Sequence, residues 1–277
     1  MNNVERKNTI WHIVIFSVLV TVLALVSPFL GGSPASPGPG FILWGTTPLL
    51  VSLLIRTVTR NWSDFGLKPA FRKTAKWYLV SLLTFPLVMV LTLIVDVSLS
   101  LVSVSEFPLG KYLQTALTAL PIFFIFAIFE EVGWRGYLSP KLDSLGINRL
   151  TASAIVAVVW GTWHMPYIRE LTWVYSSNSS ESLIAFIPRF YFVCFALALV
   201  YDEIRSITGT FWQAVLMHAI GNSFGHPFIA EYVNFSAGME YLGSISNGLF
   251  MIAFTLILGV IINRWRLRET ALSESPA

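Results

Sequence analysis

The stretch "LQTALTALPIFFIFAIFEEVGWRGYL", residues 113–138, decides the fold. It carries no charge from Leu113 to Phe129, enough apolar chain to enter the hydrocarbon core as a helix. It then places Glu130, Glu131 and Arg135 where such a helix should hold only apolar side chains. A charge near the centre of a membrane helix costs about 2.5–3.5 kcal/mol. Three so close together need partners, and other helices must supply them.

The rest of the chain reads the same way. Of its 277 residues 55% are hydrophobic and 12% charged, against about 25% charged in a soluble domain. Apolar runs at about 10–30, 41–56, 77–98, 112–138, 150–175, 183–201, 207–228 and 244–263 predict about eight transmembrane helices. The fold class expected is all-α: a polytopic membrane protein, one integral domain over 1–277, enclosing a polar cavity. "GGSPASPGPG" (31–40) breaks helix, and "YSSNSSES" (175–182) is a polar loop. The first run, about 20 residues long, exceeds the roughly 7–15 of a signal-peptide core and reads as a retained helix.

Lysine and arginine crowd alternate loops, as in "RNWSDFGLKPAFRKTAK" (60–76), and the other loops hold only Lys111, Arg169 and Arg189. The positive-inside rule then puts both termini in the cytoplasm, in the plasma membrane if the chain is prokaryotic. The net charge of +3 is dispersed over short loops, which argues against nucleic acid as a partner. The one cysteine, Cys194, sits in an apolar run as a lipid-facing or packed residue and forms no intrachain disulfide.

Two more helices carry polar groups at depth: His164 in "VVWGTWHMP", and His218 with Asn222 in "LMHAIGNSFGH". At 1.5 Å per residue, Glu130 lies roughly 7.5 Å, and the two histidines within about 2 Å, of the centres of their runs. All three share one layer of the bilayer. Glu131 and Arg135, four residues apart, are placed to form an ion pair, which leaves Glu130 about 100° round the helix to point elsewhere. His218 and Asn222 share a face for the same reason. His226 and His12 read as residues near span ends, Asp96 as a snorkelling carboxylate, and the many Trp and Phe as mostly lipid-facing or belt residues.

These residue types suit hydrolysis. A carboxylate takes a proton from water, an imidazole orients that water, and an amide with a second imidazole donates to an oxyanion. Glu130, His164 and His218 are also an alternative zinc ligand set with an open position for water. No HExxH helix occurs.

"EEVGWR" (130–135) fits EExxxR, "WGTWH" (160–164) fits an FxxxH-type motif with Trp160 in place of Phe, and "HAIGN" (218–222) fits HxxxN. In this order the motifs resemble the CPBP intramembrane proteases, comprising CAAX prenyl endopeptidases (Rce1-like) and Abi proteins. The motif-bearing core runs from 112 to 228, and "DFGLKP" (64–69) is similar to a loop common in the family. The resemblance implies an all-helical membrane protein with a cavity open to the cytosolic side. It implies that Glu130 and His164 activate water, that His218 and Asn222 hold the oxyanion, and that Glu131 and Arg135 shape the site or contact substrate. A metal is required in one view of the family and absent in another. Trp160 is expected to change cavity shape alone.

The expected function is therefore an intramembrane endopeptidase, cleaving a membrane-associated peptide or protein of CAAX or bacteriocin type within the lipid bilayer. A non-catalytic scaffold or immunity protein with the same fold is the alternative. A transporter is disfavoured by the lack of repeat symmetry.

Overall fold

The computed structural model describes residues 1–170 and 182–274, with side chains described as far as Arg268. Its long helices are α1 (Asn3–Val26), α2 (Pro39–Thr59), α3 (Phe71–Ser98), α4 (Leu109–Gly133), α6 (Arg149–His164), α7 (Leu183–Thr208), α8 (Trp212–Tyr232) and α10 (Leu249–Glu274). Between them lie two short helices, α5 (Ser139–Ser144) and α9 (Glu240–Gly243). The protein is an all-α polytopic membrane protein. Among the described residues six stretches are long and apolar enough to cross a bilayer: Asn3–Leu30, Pro39–Thr59, Phe71–Ser98, Leu109–Ser144, Leu183–Thr208 and Leu249–Arg268. The other two long helices, α6 and α8, carry the site's histidines. With 16 residues α6 is short, and α8 is diluted by His218, Asn222, Ser223 and His226.

The exterior is apolar, and small polar side chains are packed among the apolar residues of the interior. On α3, Leu79, Leu83, Leu87 and Ile94 are exposed while Ser81, Thr84 and Thr92 are buried. A helix in water would show the reverse; in lipid, apolar side chains face outward and small polar ones pack inward. Thr84 and Thr92 satisfy their hydroxyls on the carbonyls of Val80 and Val88, each at 2.8 Å. Inside the bundle α4 packs on α8 and α2, and α7 on α6 and α10.

Several sequence expectations need correcting. The expected span 150–175 ends as α6 at His164 and passes into a 3₁₀ turn, Met165–Tyr167. The end of that span, and all but Ser182 of the 175–182 loop, lie outside the described residues. The span expected at 183–201 runs on to Thr208, so Asp202, Glu203 and Arg205 are buried helix residues rather than loop charges. Trp44, Trp77, Trp134, Trp160 and Trp163 are core residues, not lipid belts. Asp96 does not snorkel: it is fully buried, and neither carboxylate oxygen has a hydrogen-bond partner. An unforeseen ribbon joins β1 (Val102–Val104) to β2 (Val233–Phe235), antiparallel, with Ser103 opposite Asn234. It ties the end of α3 to the end of α8.

The charged end of α4 continues as a π-helical turn, Trp134–Leu138, into α5. Such turns alter the regular carbonyl pairing of a helix. Here Arg205 Nε donates to the Arg135 carbonyl at 2.8 Å, and Arg56 donates to the Gly136 carbonyl. The 60–70 loop locks both arginines. Asp64 accepts from Arg56 at 2.8 Å and pairs with Lys141 at 2.9 Å, while its carbonyl accepts from Arg205 at 2.6 Å. Gly66, with φ of 75°, turns the chain where a Cβ would meet the Arg205 guanidinium and the Gly209 carbonyl, both at 2.8 Å. The "DFGLKP" loop is thus a clamp on the end of the bundle that carries the π turn.

Candidate active site

Glu131 and Arg135 form the expected ion pair, at 3.0 Å with both side chains fully buried. Arg135 also reaches Asp202 of α7 at 3.2 Å, and its guanidinium lies 4.8 Å and 4.7 Å from the ring centres of Trp160 and Tyr201. Two carboxylates and two aromatic faces therefore offset the cost of burying this cation. Asp202 is itself held by Ser139 at 2.6 Å and Ser153 at 2.9 Å. Four helices, α4, α5, α6 and α7, and the π turn meet in this one network.

Glu130 does not point away from its neighbour's partners. His218 lies between the two glutamates, with Nδ1 at 2.8 Å from Glu131 Oε1 and Nε2 at 3.7 Å from Glu130 Oε1. Carboxylate oxygens accept, so Nδ1–H donates to Glu131 and Nε2 faces Glu130. A separation of 3.7 Å suits a bridging water. The other oxygen, Glu130 Oε2, accepts a hydrogen bond from Trp160 Nε1 at 2.7 Å. Trp160 therefore does more than shape the cavity: it aims the carboxylate, a role phenylalanine lacks.

His164 is fixed from behind. Its Nδ1 is 2.8 Å from the Trp160 carbonyl, which accepts only, so a neutral ring leaves the Nε2 lone pair free for a proton. Trp163 and Phe190 close on the ring edge-to-face, at 4.6 Å and 5.1 Å between centres. The neighbouring turn is bolted to α2 by a reciprocal pair: Trp44 Nε1 donates to the Trp163 carbonyl at 2.8 Å, and Trp163 Nε1 to the Trp44 carbonyl at 3.1 Å. Their rings stack 4.2 Å apart.

Glu130, His164, His218 and Asn222 line one cavity of about 590 Å³. Its remaining walls are chiefly aromatic and aliphatic, among them Phe85, Phe123, Phe126 and Leu197. Cys194 and His226 also face it, so Cys194 is not lipid-facing and His226 is not a bare span-end residue. The cavity extends to Pro34 and Pro37 in the α1–α2 loop and to Ile245 and Ser246 ahead of α10. That is the end of the bundle opposite both chain termini. With cytoplasmic termini this end of the cavity would face away from the cytosol, whereas the resemblance implies a cytosolic opening. Among the described residues no three His, Cys, Asp or Glu side chains are grouped to hold a metal ion.

Sequence reading missed Asp202, Ser139, Ser153, Tyr201 and the Trp160 indole. The signal for Asp202 was present in "VYDEIR" (200–205), an acidic pair following an apolar run without a helix breaker.

Fold and site define a polytopic membrane protein with a buried carboxylate–histidine cluster opening on an apolar cavity. Residues 112–224 match the family model described as type II CAAX prenyl endopeptidase Rce1-like. The CAAX prenyl protease 2 of Methanococcus maripaludis is 31% identical over 130 residues, 44% of this chain and 47% of that protein. The chain thus spans about half the length of this curated relative. The resemblance drawn from the three motifs is shown for the segment that carries them.

Proposed function

We propose that the chain is an intramembrane endopeptidase that hydrolyses a peptide bond of a membrane-associated peptide or protein. One observation carries the reading: Glu130, His164, His218 and Asn222, from three helices, line a single apolar-walled cavity. The match to the Rce1-like family supports it. In this reading the residues from 112 to 228 form the catalytic core of one membrane domain. The apolar walls suit a substrate carrying a lipid group or an apolar segment, of CAAX or bacteriocin type.

A water between Glu130 Oε1 and His218 Nε2 attacks the carbonyl carbon. Glu130 takes its proton, with His164 Nε2 the second acceptor facing the cavity. The amide of Asn222 donates to the oxyanion; with Nδ1–H held by Glu131, His218 joins it only when Nε2 is also protonated. Collapse breaks the C–N bond, and the proton on Glu130 passes to the leaving amine. Glu131, Arg135 and Asp202 hold His218 in register.

The test uses purified protein in lipid nanodiscs with lipid-anchored reporter peptides, read by mass spectrometry. Glu130→Gln should keep the fold and lose about 10²–10⁴-fold in rate, the usual worth of a general base. A variant cleaving at the wild-type rate would remove Glu130 as the general base, and one that does not cleave yet fully supports the protein's role in cells would favour the scaffold instead. Zinc is tested in the same assay. In the metal-independent reading, chelator-dialysed protein keeps its activity; loss restored by zinc alone would assign Glu130, His164 and His218 as ligands.

A further inference from the structure

We infer that Gly225 and His226 form a substrate subsite at the far end of the cavity, which receives the substrate backbone about three to four residues from the cleaved bond. The inference deepens the peptidase reading and rests on it.

Three polar residues of α8 face the cavity at a regular interval: His218, Asn222 and His226. Spaced by four, they form one stripe along one face of the helix. The stripe begins at the Glu130 carboxylate and ends against Phe123, whose ring meets that of His226 edge-to-face at 5.3 Å. The walls around it are largely apolar, so an extended chain finds its hydrogen-bonding groups along α8 and room for apolar side chains elsewhere. From His218 to His226 the helix rises about 12 Å. An extended chain advances roughly 3.3 Å per residue, so the stripe spans three to four residues.

Gly225 supplies an independent observation. A Cβ built on it would meet only the sulfur of Met89, at 3.8 Å, an ordinary contact. Gly221, one turn earlier, differs: a Cβ there would sit 2.9 Å from the Phe85 ring. Protein packing therefore explains the glycine at 221 and not the one at 225. A helical glycine costs about 1 kcal/mol relative to alanine and needs another reason to be there. The missing side chain at 225 leaves space beside His226 on the cavity wall, where a second backbone can approach α8 closely. Among the described residues that line the cavity there is no lysine or arginine. The subsite thus suits an uncharged amide group, with His226 as its hydrogen-bonding partner.

The experiment measures binding and cleavage of lipid-anchored peptides by protein in nanodiscs. The peptides extend one to five residues beyond the cleaved bond, in two series, one for each side. Binding is read on the Glu130→Gln protein, with and without His226→Phe or Gly225→Leu; cleavage is read on the otherwise wild-type chain. The expected result is a length threshold in one series. Peptides reaching three or more residues lose about tenfold in affinity with either substitution, shorter ones lose nothing, and kcat stays unchanged. His226→Gln, which keeps a hydrogen-bonding group, restores most of the affinity. Equal effects at all lengths, or none at any length, overturn the subsite. Peptides that bind with the threshold but are never cleaved would leave the subsite standing and overturn the peptidase reading.

Discussion

At the scale of single residues, the site is a set of side chains whose second contacts fix their first. Trp160 is the clearest case. Its indole N–H holds one oxygen of Glu130 at 2.7 Å, which leaves the other to face His218. Trp160→Phe should fold normally, because the ring still packs, and should lower kcat about tenfold, roughly 1.4 kcal/mol. Thermal melts and steady-state rates would check this; an unchanged kcat would return Trp160 to a packing role. Arg135 belongs to stability as well. Removing it leaves Glu131 and Asp202 buried without their cation, and breaking such a pair costs about 3–5 kcal/mol. Arg135→Ala should therefore melt far below wild type in detergent, and a normal melting curve would show these carboxylates to be solvated. Glu130, His164, His218 and Asn222 were legible in the sequence because each interrupts an apolar run. Trp160 was not: an indole counts as apolar in composition, and its single N–H has no signature without a partner in view.

At the scale of elements, the long helices among the described residues were legible from apolar runs, with ends displaced where charge is buried rather than solvated. The run ended at 201 because Asp202, Glu203 and Arg205 look like loop residues; the helix continues because each is paired inside the protein. The same logic hid the π turn, whose geometry is stabilised by Arg56 and Arg205 from elements distant in sequence. The short ribbon of β1 and β2 was invisible because "VSV" and "VNF" give too little alternation to stand out. The helix-to-helix fit that positions the glutamates is tight at one point. A Cβ on Gly133 would fall 2.9 Å from the Pro48 carbonyl oxygen, so α2 and α4 touch backbone to backbone there. Gly133→Ala must push the helices apart and should cost about 1–3 kcal/mol through overpacking. It should also reduce activity, since Glu131 is two residues away. Full activity with an unchanged melting temperature would show that α4 moves freely against α2.

At the scale of the whole molecule, two ends of the bundle do different work. At one end the α1–α2 loop lines the cavity; the other carries a charge clamp centred on Asp64. Burial raises the carboxyl's pKa, but the hydrogen bond from Lys141 and the charge of Arg56 outweigh it and hold Asp64 below the ordinary carboxylate value of 3.8. A depressed carboxylate stabilises the fold at pH values above its unfolded pKa and loses that contribution as pH falls through the folded one. The clamp should thus be intact at neutral pH and fail progressively below about pH 4. Asp64 joins the 60–70 loop to Arg56 of α2 and Lys141 of α5, and its backbone carbonyl holds Arg205 of α7. Its failure should loosen the π turn as well as the loop. Asp64→Asn should lower the melting temperature at pH 7, where the charge contributes in full, and leave a flatter dependence between pH 4 and pH 2 than wild type shows. Parallel acid dependence in the two proteins would place the titrating group elsewhere and show the clamp to be held by its hydrogen bonds alone.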